Sequence, residues 1–231
     1  MEYKCEYSIK NKQIIEIKVM RDIDLKNDYE RKLINFLINE IKNKKNLNIL
    51  EFGVRKGIST KMFLNLVNDN GGNVFSVDVD DYSNLFNDKN WNFIHCRDDN
   101  YEKIENIIPK ELDVIYLDSY HEPNHVEKIL RYYYPKLKVG GLYIIDDICW
   151  IPYVKNNYRD DFGCEIANLD TYKRLLSIFY KNNTNFDLEF SFVGSGLAKI
   201  IKKSDSSLDK TYKIPSRNLS IKNLIKKIVK S

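Results

Sequence analysis

Two short apolar stretches end in acids. Asp113-Val114-Ile115-Tyr116-Leu117-Asp118 is followed by Ser119-Tyr120-His121, and Gly140-Gly141-Leu142-Tyr143-Ile144-Ile145 is followed by Asp146-Asp147. Read as neighbouring parallel strands, they deliver three carboxylates to one rim of a sheet. Three such carboxylates repel one another unless a cation sits among them. Hard oxygen donors suit Mg²⁺, Mn²⁺ or Ca²⁺, with open positions left for substrate and water. The candidate metal ligands are therefore Asp118, Asp146 and Asp147.

A second constellation lies upstream. Asn48-Ile49-Leu50-Glu51-Phe52-Gly53-Val54-Arg55-Lys56-Gly57-Ile58-Ser59-Thr60 is an apolar run, an acid, a turn with two glycines and a helix start. A dinucleotide site wants GxGxxG, so that backbone can approach a pyrophosphate. Here Glu51 stands at the first glycine position and the pattern is ExGxxxGxS. S-Adenosylmethionine, which has no phosphates, fits that turn. Gly53 and Gly57 would keep the turn open for its methionyl portion. Ser59 and the N–H groups of the helix start would hold its carboxylate. Asp78, ending Val74-Phe75-Ser76-Val77-Asp78, could accept from the ribose hydroxyls, and Asp98 could meet the adenine amino group. Each acid could instead cap a helix, and Asp99 competes with Asp98 for the adenine.

These residues need a scaffold that brings strand ends to one edge. Apolar runs at Leu47–Phe52, Val74–Asp78, Asn92–His95, Val114–Asp118 and Leu142–Asp146 alternate with helical patterns at Thr60–Val67, Tyr101–Ile108 and Val126–Leu137. That alternation predicts right-handed crossovers and a parallel sheet. A helix is expected from Thr171 to about Tyr180. Phe186–Phe192 and Leu197–Ile201, joined by Gly194-Ser195-Gly196, predict an antiparallel pair. Upstream, residues 3–19 read as a hairpin. Asp28 reads as the cap of a helix carrying Leu33, Ile34, Leu37, Ile38 and Ile41.

Over about Leu47 to Lys202 the chain resembles the class I S-adenosylmethionine-dependent methyltransferases. The resemblance implies a Rossmann-like α/β fold: a seven-stranded, mostly parallel sheet with an antiparallel last strand and helices on both faces. It also places Glu51, Gly53, Gly57, Ser59, Asp78, Asp98 and Asp118 around the cofactor. The second half is similar to the divalent-metal-dependent O-methyltransferases that act on catechols, caffeoyl-CoA and certain sugars. Their ligand pattern falls on Asp118, Asp146 and Asp147. Asp147 stands where many relatives have Asn, which resembles the sugar-modifying branch. Relatives commonly place a proton acceptor three residues after the first metal Asp, and here that residue is His121. The implied reaction is methylation of a hydroxyl on a small molecule, with a sugar or glycan precursor favoured and His121 as base. Alternatives are the same fold without metal or methylating nitrogen, and a non-catalytic S-adenosylmethionine-binding protein.

His121-Glu122-Pro123-Asn124-His125 also matches HExxH, the zinc-protease signature. That chemistry needs both histidines on one continuous helix. Pro123 belongs in a first helical turn and disfavours helix at Glu122. His121 is then a loop residue, and His125 is expected on the helix surface or the rim rather than at a metal. Ile148–Ala167 is expected to form a substrate lid carrying Trp150, Tyr153, Tyr158, Arg159 and Phe162, or to pack as an ordinary large loop.

Composition bounds the rest. The 231 residues, 43% hydrophobic and 30% charged, suit one domain with modest extensions. No run is long enough to span a membrane. Scattered Cys5, Cys96, Cys149 and Cys164 read as reduced thiols, and the polar start as that of a cytoplasmic protein. From Lys202 onward nine Lys and Arg face two Asp, a net +7, so the preceding residues carry −3 of the +4 total. No nucleic-acid groove across the main domain is expected from that balance. The expected organisation is residues 1–46 as a hairpin and helix forming a cap or dimer region, 47–203 as the cofactor-binding domain, and 204–231 as a basic linker and amphipathic helix. Residues 217–230 could pack on their own domain, join a homodimer, or lie on an anionic membrane.

Overall fold

The structure is a computed structural model that describes residues 32, 36, 40–150, 162–209 and 221–230. The predicted hairpin, the Asp28 cap, the lid residues Tyr153, Tyr158 and Arg159, and the linker between 210 and 220 lie outside the described residues.

Seven strands form one sheet: β1 (Leu47–Phe52), β2 (Gly72–Asp78), β3 (Trp91–His95), β4 (Leu112–Leu117), β5 (Leu137–Asp146), β6 (Phe186–Ser191) and β7 (Leu197–Lys202). Their order is β3-β2-β1-β4-β5-β7-β6. The first five are parallel, and β7 lies between β5 and β6, antiparallel to both. This is the expected Rossmann-like methyltransferase architecture. The helices are α1 (Ile58–Asn70), α2 (Tyr101–Glu105), α3 (Pro123–Tyr133), α4 (Phe162–Asn182) and α5 (Ile221–Lys230).

The central strands are buried on both faces, which explains why they read as continuous apolar runs rather than alternating ones. Alternate residues of each strand enter different cores. Leu50, Phe52, Ile115, Leu117, Tyr143 and Ile145 meet Ile129 and Tyr133 of α3 and Leu175 and Ile178 of α4. Ile49, Val114, Tyr116, Leu142 and Ile144 meet Met62, Phe63 and Val67 of α1. Polar chemistry is thereby confined to the carboxyl ends of β1, β2, β4 and β5, where the turns begin.

Two elements differ from expectation. Helix α3 begins at Pro123 and gives way to a single 3₁₀ turn, Tyr134–Lys136, because Pro135 cannot extend the α ladder. Helix α4 runs Phe162–Asn182, so the last six residues of the expected lid are helix. The ring of Trp150 packs 4.2 Å from that of Tyr172 on α4 and edge-on to Phe192.

Candidate active site

Two adjoining cavities open where β1 and β4 end. The first, about 340 Å³, is lined by Arg55, Asp78, Tyr82, Asp98 and Tyr120 among others. The second, about 370 Å³, is lined by Lys56, Ile58, Ser59, His121 and Asp147. Gly53, Arg55, Asp118 and Ser119 belong to both walls.

Gly53 makes the shared wall possible. Its φ is +94°, and a Cβ there would lie 2.1 Å from the carbonyl oxygen of Asp118. Gly57 caps α1 in the left-handed region, where a Cβ would strike Leu85 and Phe86. Both glycines are therefore required by close packing around the turn rather than by room for a ligand alone.

Glu51 lies elsewhere than expected. It is fully buried, lines neither cavity, and accepts from Thr60 Oγ1 (2.7 Å) and Ser76 Oγ (2.6 Å). Its other oxygen has no hydrogen-bond partner among the described residues. Burial pushes its carboxyl up to about 7, against the pull of the Ser59, Ser76 and Thr60 hydroxyls. It braces the turn from below rather than touching a cofactor.

Asp78 lines the first cavity, as expected. Its Oδ2 accepts from the N–H groups of Val54 (2.7 Å) and Arg55 (3.3 Å), and Oδ1 from that of Asp80 (3.0 Å). The acid thus ties β2 to the glycine turn. A carboxylate offers about four acceptor positions, so one stays available to a ligand.

Asp98 and Asp99 differ in burial and partners. Asp98 is buried in the cavity wall, with Oδ2 taking the Ser119 hydroxyl and His125 Nε2, the latter at 2.8 Å. Asp99 faces outward to Arg97 (3.0 Å) and Lys128 (3.3 Å), which with burial opposing hold its carboxyl down to about 2. The expectation of a helix-surface position for His125 needs correction: it is nine-tenths buried in the first turn of α3, beside Asp98. The signal was available, since Val126, Ile129, Leu130 and Tyr133 mark the same buried stripe.

His121 lies outside α3, whose N-cap is Glu122, so the HExxH spacing forms no two-histidine face. Its Nε2 sits 3.2 Å from Asp147 Oδ2 and 3.6 Å from Asp118 Oδ1. Asp147 has a φ of +57°, which carries the chain out of β5 and sends consecutive acids to different neighbours.

Asp146 is the chief departure. It is buried with Lys32, whose ammonium contacts both its carboxylate and the Ser195 hydroxyl. Ser195 Oγ (2.8 Å), the Tyr116 hydroxyl (2.5 Å) and the Asp147 N–H (2.6 Å) also donate to it. Burial alone would raise its carboxyl; Lys32, Tyr116 and the Asp147 N–H outweigh that and hold it below the usual range. Asp146 is thus not assembled with the other two acids as a metal ligand. Among the described residues the atoms that could share an ion belong to Asp118, His121 and Asp147, all within 4.8 Å of one another. The two carboxylates, half-buried on a cavity wall, fit a divalent cation by their hard oxygen donors, and the imidazole beside them could either complete that set or serve as a proton acceptor. Nothing in the sequence pointed to Lys32, which reaches the site from more than a hundred residues upstream.

A family model described as a methyltransferase domain matches residues 50–148, from within β1 to just beyond Asp147. No curated protein matches the chain in sequence. Among solved structures, MycE from the mycinamycin biosynthetic pathway, in complex with Mg, SAH and mycinamycin VI, is 22% identical with a TM-score of 0.53, over 81% of this chain and 50% of that one. The chain thus spans about half the length of MycE. A Staphylococcus aureus protein described as a caffeoyl-CoA O-methyltransferase is 22% identical with a TM-score of 0.57, over 85% and 98%. A Klebsiella pneumoniae protein described as an O-methyltransferase is 12% identical with a TM-score of 0.51, over 86% and 89%. At these identities the likeness is one of fold. The matched domain and the shared fold are both ones found in methyltransferases.

Proposed function

We propose that this protein moves a methyl group from S-adenosylmethionine to a hydroxyl oxygen of a small molecule, with a sugar or glycan precursor as the first acceptor to try. One observation carries the reading: Asp118, His121 and Asp147 converge on the wall of the second cavity, and Asp118 also lines the first. The O-methyltransferase descriptions of similarly folded proteins support it. The lean towards a sugar rests on the Asp146-Asp147 pair and the basic tail.

When bound, S-adenosylmethionine supplies an electrophilic methyl group for in-line displacement by the acceptor oxygen. A divalent cation held by Asp118 and Asp147 would make the acceptor hydroxyl more acidic. Asp78 and Asp98 offer acceptors for the ribose and the adenine amino group. Ser59 and the start of α1 offer donors for the cofactor carboxylate. Gly53, having no side chain, lets β1 approach Asp118 closely where the two cavities adjoin. His121, whose Nε2 lies 3.2 Å from Asp147 and 3.6 Å from Asp118, takes the hydroxyl proton.

A second reading has the same reaction without metal. It is favoured by Lys32, which already neutralises Asp146 and leaves only two rim carboxylates flanking His121. Methyl transfer to a panel of sugar and catechol hydroxyls, with chelator and then with added Mg²⁺ or Mn²⁺, tests both. Loss on chelation with recovery on metal addition supports the first reading. Undiminished transfer in chelator selects the second. Methylation of amines alone would sink both.

A further inference from the structure

Helix α5 is the part of the chain that the site leaves unused. Its ten residues contain four lysines and no acid. At 3.6 residues per turn, Ile221, Ile225, Ile228 and Val229 fall within an arc of about 100°, and Lys222 and Lys226 lie beyond one edge of it. Those four apolar side chains are 76%, 56%, 75% and 78% exposed. A single exposed isoleucine is ordinary, whereas four on one face form a contiguous patch that marks a contact surface.

We propose that α5 lies along an anionic lipid bilayer, its apolar face at the acyl boundary and its lysines among the headgroup phosphates. The charge pattern selects this occupant. Apolar residues bordered by cations match a surface that is apolar inside and negative at its rim. Packing on the α5 of a second copy would instead bring like charges together. A nucleic-acid backbone would satisfy the lysines and leave the isoleucines in water. The helix is about 15 Å long, half the thickness of a hydrocarbon core, so it can rest on a bilayer but not cross it. No helix among the described residues is long and apolar enough to span a membrane. The inference is independent of the methyl acceptor.

The test uses the full chain and two sets of vesicles, phosphatidylcholine alone and phosphatidylcholine doped with phosphatidylglycerol. Co-sedimentation should be at least about tenfold stronger on the doped vesicles and should weaken with salt. Replacing Lys222 and Lys226 together by Gln should weaken it roughly thirtyfold. Ile225→Asp with Val229→Asp should abolish it, while the melting temperature and S-adenosylhomocysteine affinity stay at wild-type values because α5 adds nothing to the sheet. Equal binding to both vesicles, or full binding by the Asp variant, overturns the proposal. So does a dimer in light scattering that the Asp variant disrupts when neither protein binds vesicles.

Discussion

A Cβ on Gly53 would stand 2.1 Å from the carbonyl oxygen of Asp118, so β1 and β4 meet at the cavity wall with no room for a side chain. Gly53→Ala must therefore push the two strand ends apart as well as force a residue into a φ of +94°. Such strain costs about 1–3 kcal/mol from the backbone alone, before the clash is counted. Urea unfolding should show at least that loss, and calorimetry should show weakened S-adenosylhomocysteine binding. Wild-type stability in this variant would mean that the wall is softer than the geometry says.

Glu51 gives a pH signature. Its carboxyl sits at about 7 in the folded protein against an ordinary 4.5. The folded state therefore holds a proton that the unfolded chain releases. The stability this supplies is full below about 4.5, falls as pH rises, and is gone above about 7. Glu51→Gln keeps an oxygen for Thr60 and Ser76 but has no proton to lose. The variant should gain stability relative to wild type as pH rises through that window. Parallel stability–pH curves for the two proteins would rule out Glu51 as the titrating group.

Much of this arrangement was legible in the sequence because β2, β4 and β5 are largely buried apolar runs that stop at or beside an acid, and an acid follows β3 closely. That pattern located Asp78, Asp98, Asp118 and Asp147 on cavity walls. It could not tell which way a side chain turns once the strand has ended. Asp146 and Asp147 read as a pair, yet the left-handed φ of Asp147 separates them: one turns to a buried lysine, the other to the rim. Glu51 was legible as an acid at the first strand's end but not as one facing Thr60 and Ser76. Lys32 was illegible because its role depends on a contact across 114 positions, which no local pattern records.

His121 should be the proton acceptor. His121→Ala should lower turnover by roughly 10²–10⁴-fold, the usual weight of a general base. Its affinity for S-adenosylhomocysteine should hold, because the residue is absent from the first cavity wall. Single-turnover methyl transfer alongside calorimetry separates these effects. Turnover near wild type would remove His121 from the chemistry.

The buried Lys32 and Asp146 pair predicts a large, asymmetric stability effect. Lys32→Met leaves Asp146 desolvated beside Tyr116 and Ser195 with no compensating cation, which costs about 3–5 kcal/mol. Adding Asp146→Asn removes the stranded charge and should recover a good part of that loss. A double-mutant cycle by urea denaturation measures the coupling. Additive effects would show that the two residues do not depend on each other.

The turn between β6 and β7 has a reach that its place near the sheet edge conceals. Ser195 donates its hydroxyl to Asp146, and its carbonyl oxygen accepts the Cys149 N–H. The closing hairpin is thus a strut from the far side of the sheet to the residues flanking Asp147. A chain cut before Gly194 would keep every acid named above and lose what aims them. The shortest functional version of this domain is therefore set by the hairpin rather than by the last catalytic residue.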